Sequence, residues 1–367
     1  MAGETDLMTR KIGILLHDLS AGGTERIALR LAGEWARNGR EITIICGDPT
    51  GPLKMMVPQG VTLKSPLQPL RRAWSSRDRL GSFAASTCRS HDILRLFVPG
   101  NFHFAALPAL RASAPAGLKL VAKLSNPIAR SDRGPLAQRY ACSRAANNLR
   151  HSDAVVAMSL LLADDARLAT GGVPLHVIDE PILDDHLNLV EEGRGQRAGV
   201  VAAGRFVPQK DFALAVRAMA HAKSLTTRLT VLGDGPKRAG VRSLALRLGV
   251  ADRISLPGRV DDIRPWLERA KVFLISSRFE GFPAVAIEAL AAGARLVTTD
   301  CTPAVREIVE GPEVGEVVPT RDPSLIAEAL ERQLLLGPVP NGVITDLHRR
   351  YSIGRAAASY LQLLDSL

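Results

Sequence analysis

Apolar residues along this chain fall in short runs divided by polar stretches of helical period, and that alternation predicts a strand, helix, strand order almost from the start. Lys11 to His17 is a strand-like run; after Gly22-Gly23, Ile27, Ala28, Leu31 and Trp35 recur at the three- and four-residue spacing of one buried helix face. Asn38-Gly39 stops that helix, and Glu41 to Cys46 reads as a second buried strand. Further apolar runs follow at Ile93–Val98, Leu118–Lys123 and Ala154–Ala157. Between Gly47 and Ser90, Pro49, Pro52, Pro58, Pro66 and Pro69 break any regular pattern, so loop with a short basic helix is expected there.

Residues 191–197 (EEGRGQR) are charged and glycine-containing, the composition of a domain boundary. The pattern then restarts, with strands expected at Gly199–Ala203, Arg228–Leu232, Arg253–Leu256, Val272–Ser276, Leu296–Thr299 and Glu316–Val318. Helices are expected between them at Phe212–Lys223, Lys237–Leu248, Asp262–Ala270 and Ala284–Ala292, with Pro323–Leu336 after the last strand. Such alternation specifies an α/β fold with a doubly wound parallel sheet, whose ligands lie at the carboxyl ends of the strands. A chain of 367 residues exceeds one hydrophobic core, so two domains are expected: 1–190, a linker at 191–197, and 198–351, with residues 352–367 as a final helix.

Composition narrows the class. Hydrophobic residues make up 46%, charged residues 23%, and mean hydropathy is +0.07, which excludes a disordered chain. Aromatics are only 4%, so Ala, Leu, Val and Ile must build the core, as suits buried parallel strands. Cys46, Cys88, Cys142 and Cys301 include no close pair, which argues against a disulfide framework or a thiolate zinc site and fits a reducing cytoplasm. The first apolar run, Ile12 to Leu16, is far shorter than a bilayer span and lacks a signal-cleavage pattern, so any membrane association is expected to be peripheral.

The net charge is +10, and residues 54–150 alone carry sixteen Lys and Arg against three Asp, a net +13. A patch of that density attracts nucleic acid, an anionic membrane or an acidic substrate, while solvated helix faces are the plain alternative. No zinc-finger spacing or basic heptad array supports nucleic acid. Arg71, Arg72, Arg77 and Arg79 around Trp74 form a cationic group with one aromatic, suited to a headgroup boundary.

The loops expected at the carboxyl edge of the second sheet carry the candidate chemistry. Gly204-Arg205-Phe206-Val207-Pro208-Gln209-Lys210 places two cations before a helix start, where a diphosphate meets a guanidinium fork, an ammonium and helix amides together. Gly233-Asp234-Gly235-Pro236 and Pro257-Gly258-Arg259 permit close approach to backbone, although ordinary turn chemistry explains the former equally well. The strongest signal is Glu280-Gly281-Phe282-Pro283-Ala284-Val285-Ala286-Ile287-Glu288: Glu280 falls in a loop, Pro283 suits the first helical turn, and Glu288 falls just over a turn inside the helix. Carboxylates accept hydrogen bonds from vicinal hydroxyls, so a nucleotide sugar offers each of them a target. Ile287, Ala289 and Leu290 border Glu288, and a Glu on so apolar a helix needs a partner.

Taken in order, Gly22-Gly23, Gly204-Arg205 with Lys210, Gly233-Asp234-Gly235-Pro236, Gly258-Arg259-Val260, and Glu280-x7-Glu288 followed by Gly293 resemble retaining glycosyltransferase family 4 over most of the chain. The resemblance implies a GT-B fold: two doubly wound Rossmann-like domains facing each other across a cleft, the second holding the nucleotide sugar, the first the acceptor, and the last helix crossing back to the first. It implies that Arg205 and Lys210 bind the diphosphate, Glu288 the ribose, and Glu280 with Phe282, Pro283 and Ala284 the donor sugar. Gly258, Arg259 and Val260 would line the base pocket, and Gly22 and Gly23 would approach the diphosphate or acceptor. No metal is called for, since fixed cations and helix amides stabilise the charge growing on the β-phosphate and the sequence has no Asp-x-Asp motif.

One departure stands out. Many members carry a His after an N-domain strand, whereas here the chain continues as Leu124-Ser125-Asn126. His103, Ser125 and Asn126 are the acceptor or sugar contacts available there, and a structural role for His103 competes with that one. The implied reaction moves a hexose or N-acetylhexosamine from a nucleoside-diphosphate sugar, UDP favoured over GDP and without other cofactor, to a saccharide or lipid-linked acceptor. A nucleotide-sugar epimerase or hydrolase and a catalytically silent binding scaffold are the alternatives. Loss of a site cation or carboxylate would favour the scaffold, and Arg205, Lys210, Glu280 and Glu288 are all present.

Overall fold

The computed structural model describes residues 10–20, 22–128, 133–186, 197–224 and 226–367. Two compact units emerge, Met1–Pro181 with Ile353–Leu367, and Ile182–Ser352. The expected linker at 191–197 lies outside the described residues apart from Arg197. The chain passes between units at Pro181 and again at Ser352, the first passage earlier than the expected domain end at residue 190.

In the first unit the strands are β1 (Lys11–Asp18), β2 (Glu41–Asp48), β3 (Thr62–Lys64), β4 (Arg95–Pro99), β5 (Lys119–Lys123), β6 (Ala154–Ala157) and β7 (Leu175–Val177). The helices are α1 (Gly23–Arg37), α2 (Arg77–Ser90), α3 (Leu107–Ala112), α4 (Pro135–Leu149) and α5 (Leu160–Ala166). The sheet runs β3-β2-β1-β4-β5-β6-β7 with every pairing parallel. Ile12, Ile14, Leu15 and Leu16 of β1 are completely buried, as a central parallel strand covered on both faces requires.

In the segment 47–90 the expected basic helix is present but longer, and an unexpected short strand accompanies it. The segment holds the short strand β3 and the fourteen-residue helix α2, with 3-10 turns at Pro52–Met56 and Trp74–Ser76. The prolines are confined to positions 49–69, and beyond them Leu80, Ala84, Ala85 and Cys88 form a buried helical stripe of small residues with a weak amphipathic signal. Strand β7 also lies outside the expected series.

The second unit contains β8 (Val200–Ala203), α6 (Phe212–His221), β9 (Leu229–Leu232), α7 (Arg238–Arg247), β10 (Ile254–Gly258), α8 (Arg264–Arg269) and β11 (Val272–Ile275). It continues with α9 (Ala284–Ala291), β12 (Arg295–Thr299), α10 (Ala304–Ile308), β13 (Gly315–Val318), α11 (Pro323–Leu334) and α12 (Asn341–Tyr351). Its sheet runs β10-β9-β8-β11-β12-β13, again all parallel. Within this unit the two ends are tied, because Ile182 and Leu183 both donate backbone N–H bonds to Tyr351 O at 3.0 Å.

The last helix, α13 (Ile353–Ser366), belongs to the first unit. Trp35 Nε1 donates to Ala357 O at 3.2 Å, Arg95 Nε donates to Leu364 O at 2.8 Å, and Tyr360 packs edge-on against Phe97 at 5.1 Å. Trp35 and Tyr360 are both completely buried, so α13 completes the core beside α1. Among the described residues no helix is long and apolar enough to cross a membrane.

Candidate active site

In the second sheet the winding reverses between β8 and β11, and the carboxyl ends of those two strands are where an open α/β sheet of this kind receives a ligand. The loop after β8 carries Arg205 and Lys210; the loop after β11 carries Glu280. Lys210 Nζ donates to Glu280 Oε1 at 2.7 Å, the Ser277 hydroxyl donates to the same oxygen, and Gln209 Nε2 lies 3.5 Å from Oε2. Glu280 is only 6% exposed, and a carboxylate that deep must be paired and hydrogen-bonded. Its backbone N–H donates to Cys301 O at 2.9 Å, so a third loop holds it from behind. Lys210, Ser277, Glu280 and Pro283 line a cavity of only about 10 Å³, roughly the room of one water. The cation expected on the diphosphate and the carboxylate expected on the sugar are therefore one ion pair.

Arg205 lies on the same loop with its side chain exposed. Backbone contacts fix that loop: Phe206 N–H donates to Asp234 O at 2.8 Å, and Lys237 N–H donates to Phe206 O at 3.0 Å. Gly233 adopts φ +124°, and a Cβ there would stand 2.0 Å from Gly204 O. The Gly233 N–H donates to Gly258 O at 2.7 Å, so the loops after β8, β9 and β10 stack through glycines. Ordinary turn chemistry thus understates Gly233: its missing side chain lets the Arg205 loop close down.

The remaining residues expected in this unit are spread around that edge. Pro283 occupies the N-cap position of α9 and is buried. Phe282 and Ala284 pack partly into the core, the Phe282 ring lying 5.7 Å from that of Tyr351. Glu288 is half-buried in the second turn of α9. Beyond β10, Gly258 adopts φ +95°, Arg259 is exposed and Val260 packs partly against the core. A groove of about 730 Å³ runs along α7 and β10 beside Gly235 and Pro236, bordering that turn but not the Lys210–Glu280 pair.

In the first unit the winding reverses between β1 and β4. Here His103 is 2% exposed; its Nε2 accepts from the His17 N–H at 3.0 Å and its Nδ1 donates to Pro99 O. Both ring nitrogens serve the backbone, which makes His103 a structural residue in this arrangement. Burial, with a contribution from Arg72, pushes its pKa down to about 4. Ser125 and Asn126 are brought together with Asn101: the two backbone N–H groups donate to Asn101 Oδ1 at 2.8 and 3.2 Å, and Asn101 Nδ2 donates to Asn126 O at 2.9 Å. Gly22 precedes α1, and a Cβ there would meet the Glu25 carboxylate at 2.0 Å; around Gly23 nothing lies within 4 Å of such an atom.

Two residues at this edge escaped sequence reading. His17 is completely buried, its Nε2 2.8 Å from Ser76 Oγ and its Nδ1 3.6 Å from Asp18 Oδ2. Burial alone would raise the Asp18 carboxyl, but contacts from His17 and Ser20 and the charge of Arg72 outweigh it and hold the group well below the usual carboxylate range. The available signal was a His-Asp pair ending an otherwise apolar strand. Of the four arginines of the cationic group, Arg71, Arg72 and Arg79 are exposed. Arg77 is buried, and the guanidinium carbons of Arg72 and Arg77 each lie 4.2 Å from the Phe102 ring centroid, with Arg72 also 3.6 Å from Asp18 and Glu25. Cation–π contact holds both guanidinium groups against Phe102, and ion pairing adds to it for Arg72, which stays exposed; the Trp74 side chain lies outside what the structure describes.

Among the described residues no three His, Cys, Asp or Glu side chains gather as metal ligands. Residues 22–179 match the model of the glycosyl transferase 4-like domain, and residues 197–335 match that of glycosyl transferases group 1. The lipopolysaccharide core biosynthesis glycosyltransferase LpsE of Rhizobium meliloti is 33% identical over 182 residues, covering 46% of this chain and 49% of that protein. The lipopolysaccharide core biosynthesis mannosyltransferase LpcC of Rhizobium leguminosarum is 30% identical over 193 residues, covering 50% of this chain and 54% of that one. The chain thus spans about half the length of these curated relatives. Among solved structures, Anabaena HepE in complex with UDP and glucose superimposes with a TM-score of 0.77 at 17% identity, covering 98% of this chain and 100% of that one. By the family models of its two halves the chain belongs to the glycosyl transferase families, a glycosyl transferase 4-like domain followed by a glycosyl transferases group 1 domain, and its fold is GT-B.

Proposed function

We propose that this protein is a retaining hexosyltransferase that moves a hexose or N-acetylhexosamine from a nucleoside-diphosphate sugar to a saccharide or lipid-linked acceptor, in building a cell-surface polysaccharide or glycolipid. The observation that carries this reading is the convergence of Lys210 and Glu280 at the switch point of the second sheet, with Arg205 on the same loop. As the glycosidic bond breaks, negative charge grows on the β-phosphate and positive charge on the sugar ring. Lys210 and Arg205 meet the first, and the Glu280 carboxylate meets the second, without reorganising. Glu288 accepts from the ribose hydroxyls, and the turn at Gly258, Arg259 and Val260 faces the base. The names of the relatives, lipopolysaccharide core transferases among them, and the UDP held by HepE support a UDP-sugar donor and a saccharide acceptor. Attack from the face the nucleotide leaves gives retention.

The acceptor side falls to the first unit, where Asn101, Ser125 and Asn126 offer a hydrogen-bonded polar edge. We place peripheral contact with an anionic membrane, on the cytoplasmic face, at α4. Only Leu149 of this fifteen-residue helix is buried, Leu136 and Tyr140 are 83% and 68% exposed, Arg139 lies between them, and residues 133–150 contain no acid. Leu136, Arg139 and Tyr140 share one helix face, an apolar pair with a cation suited to a headgroup boundary.

A panel of UDP- and GDP-sugars incubated with truncated lipopolysaccharide core acceptors tests the reaction. Acceptor-dependent nucleotide release, with the donor's anomeric configuration kept in the product by NMR, is the expected result. Donor conversion at the same rate without acceptor would replace transfer with epimerisation or hydrolysis.

A further inference from the structure

We infer that Arg321 and Asp211 are positioning residues that set the distance between the loops carrying Lys210 and Glu280; this rests on the nucleotide-sugar reading of that site. Arg321 comes from the loop after β13, a different loop from either partner. Its guanidinium donates to Ser277 O at 2.7 Å, to Asp211 Oδ2 at 2.7 Å and to Ser276 O at 3.2 Å. Each acceptor is one step from the pair. Asp211 follows Lys210 in the chain, the Ser276 hydroxyl donates to Lys210 O at 2.9 Å, and the Ser277 hydroxyl donates to the Glu280 carboxylate. One planar fork therefore grips both sides of the ion pair, a task a flexible ammonium does not reproduce.

Asp211 itself carries a second sign of the same role. It adopts φ +44°, ψ 51°, a left-handed conformation that side chains other than Asn and Asp seldom take. It sits at the N-cap of α6, where an Asp ordinarily accepts from the first helix amides, yet its carboxylate makes no such bond. Instead Oδ2 takes Arg278 Nε at 3.0 Å and Arg321 at 2.7 Å, while the Arg278 N–H donates to Gln209 O at 2.7 Å. The backbone strain and the diverted carboxylate both serve to hold the residue beside Lys210 against the β11 loop. Partly exposed ion pairs of this kind contribute little to global stability, so their value lies in local geometry.

Titration of the full chain with UDP, or with GDP if that binds the wild type more tightly, tests the inference. Arg321→Ala is expected to weaken binding about fivefold or more, yet to have no further effect in a Lys210→Ala background, the non-additivity expected if it acts through Lys210. Arg321→Lys recovers only part. Asp211→Gly adopts the left-handed backbone at no steric cost, so its thermal midpoint stays level or rises while nucleotide binding weakens; it also carries the test should Arg321→Ala not fold. Wild-type affinity in both Arg321→Ala and Asp211→Gly, or an equal loss with and without Lys210, overturns the inference. A folded wild type that binds neither nucleotide defeats the nucleotide-sugar reading and this inference together, whereas a binding wild type with silent variants defeats this one alone.

Discussion

Lys210 Nζ and Glu280 Oε1, seventy residues apart in the chain, meet at 2.7 Å because their loops leave β8 and β11, the two strands between which the second sheet reverses its winding. The pair makes each partner's removal a different experiment. Lys210→Ala leaves a buried carboxylate without its counter-charge, with only hydroxyl and amide donors remaining, and is expected to destabilise the unit by about 1–3 kcal/mol besides abolishing transfer. Adding Glu280→Gln removes the stranded charge and recovers most of that stability, but not activity. Urea denaturation of the two single variants and the double variant reads the cycle. Strictly additive losses would mean that the ion pair does not operate in the folded protein.

Arg205 provides the contrast. Its side chain is exposed, so Arg205→Ala is expected to change stability by no more than about 0.5 kcal/mol. Removing a cation from a developing phosphate charge instead lowers kcat, by about 100-fold on the scale of a single lost charge-stabilising donor. Steady-state kinetics beside thermal unfolding separate the two readouts, and a variant with unchanged kcat removes Arg205 from the diphosphate site.

Much of this arrangement was legible in the sequence because buried parallel strands and helical stripes leave strong periodic marks. Ala154–Ala157 begins and ends where its apolar run does, and the Glu280-x7-Glu288 spacing places one Glu in a loop and the other on α9. What was hidden depends on three-dimensional neighbours. No local pattern reveals that Lys210 pairs with Glu280, since that contact follows from sheet order. Nor does a run of arginines disclose that Arg72 and Arg77 both lie over the Phe102 ring, twenty-five or more residues away. The prolines before residue 70 obscured β3 and the full length of α2, whose own stripe is built largely of small residues.

Transfer is expected to persist in EDTA. Two side-chain cations and the amides of the loop and helix starts supply the phosphate stabilisation that a divalent ion supplies elsewhere. Initial rates before nucleotide product accumulates, with and without chelator, provide the check. Loss of turnover restored by magnesium or manganese would assign that stabilisation to a metal instead.

Membrane association should follow α4 rather than the Arg71–Arg79 stretch. Leu136→Ser with Tyr140→Ser removes the exposed apolar pair, and Arg139→Ser removes the cation between them, which contributes on the order of 1 kcal/mol near an anionic surface. Co-sedimentation with anionic vesicles at low salt is expected to fall in both variants and to weaken in the wild type as salt rises, since screening acts within about 8 Å at physiological ionic strength. Retention of binding by these variants, with loss in Arg71→Ser and Arg79→Ser, would move the contact back to that stretch.

The pH dependence of stability carries a signature of His103. Burial holds its pKa at about 4, against 6.5 for an ordinary histidine. Between those values the unfolded chain binds a proton that the folded chain excludes, so stability falls as pH drops through the window and is unaffected by this group above it. The full loss amounts to about 3 kcal/mol by linkage. Asp18, held well below the usual carboxylate range, stays charged throughout that window and does not produce the slope. His103→Gln abolishes the titration while an amide remains to meet the His17 N–H or the Pro99 carbonyl. Urea midpoints measured from pH 7.5 down to pH 4 should therefore decline less steeply in this variant than in the wild type, whatever its stability at neutral pH. Parallel curves would show that His103 takes up its proton in the folded protein, and that the His17 N–H contact, which a protonated Nε2 cannot accept, is formed differently from that described.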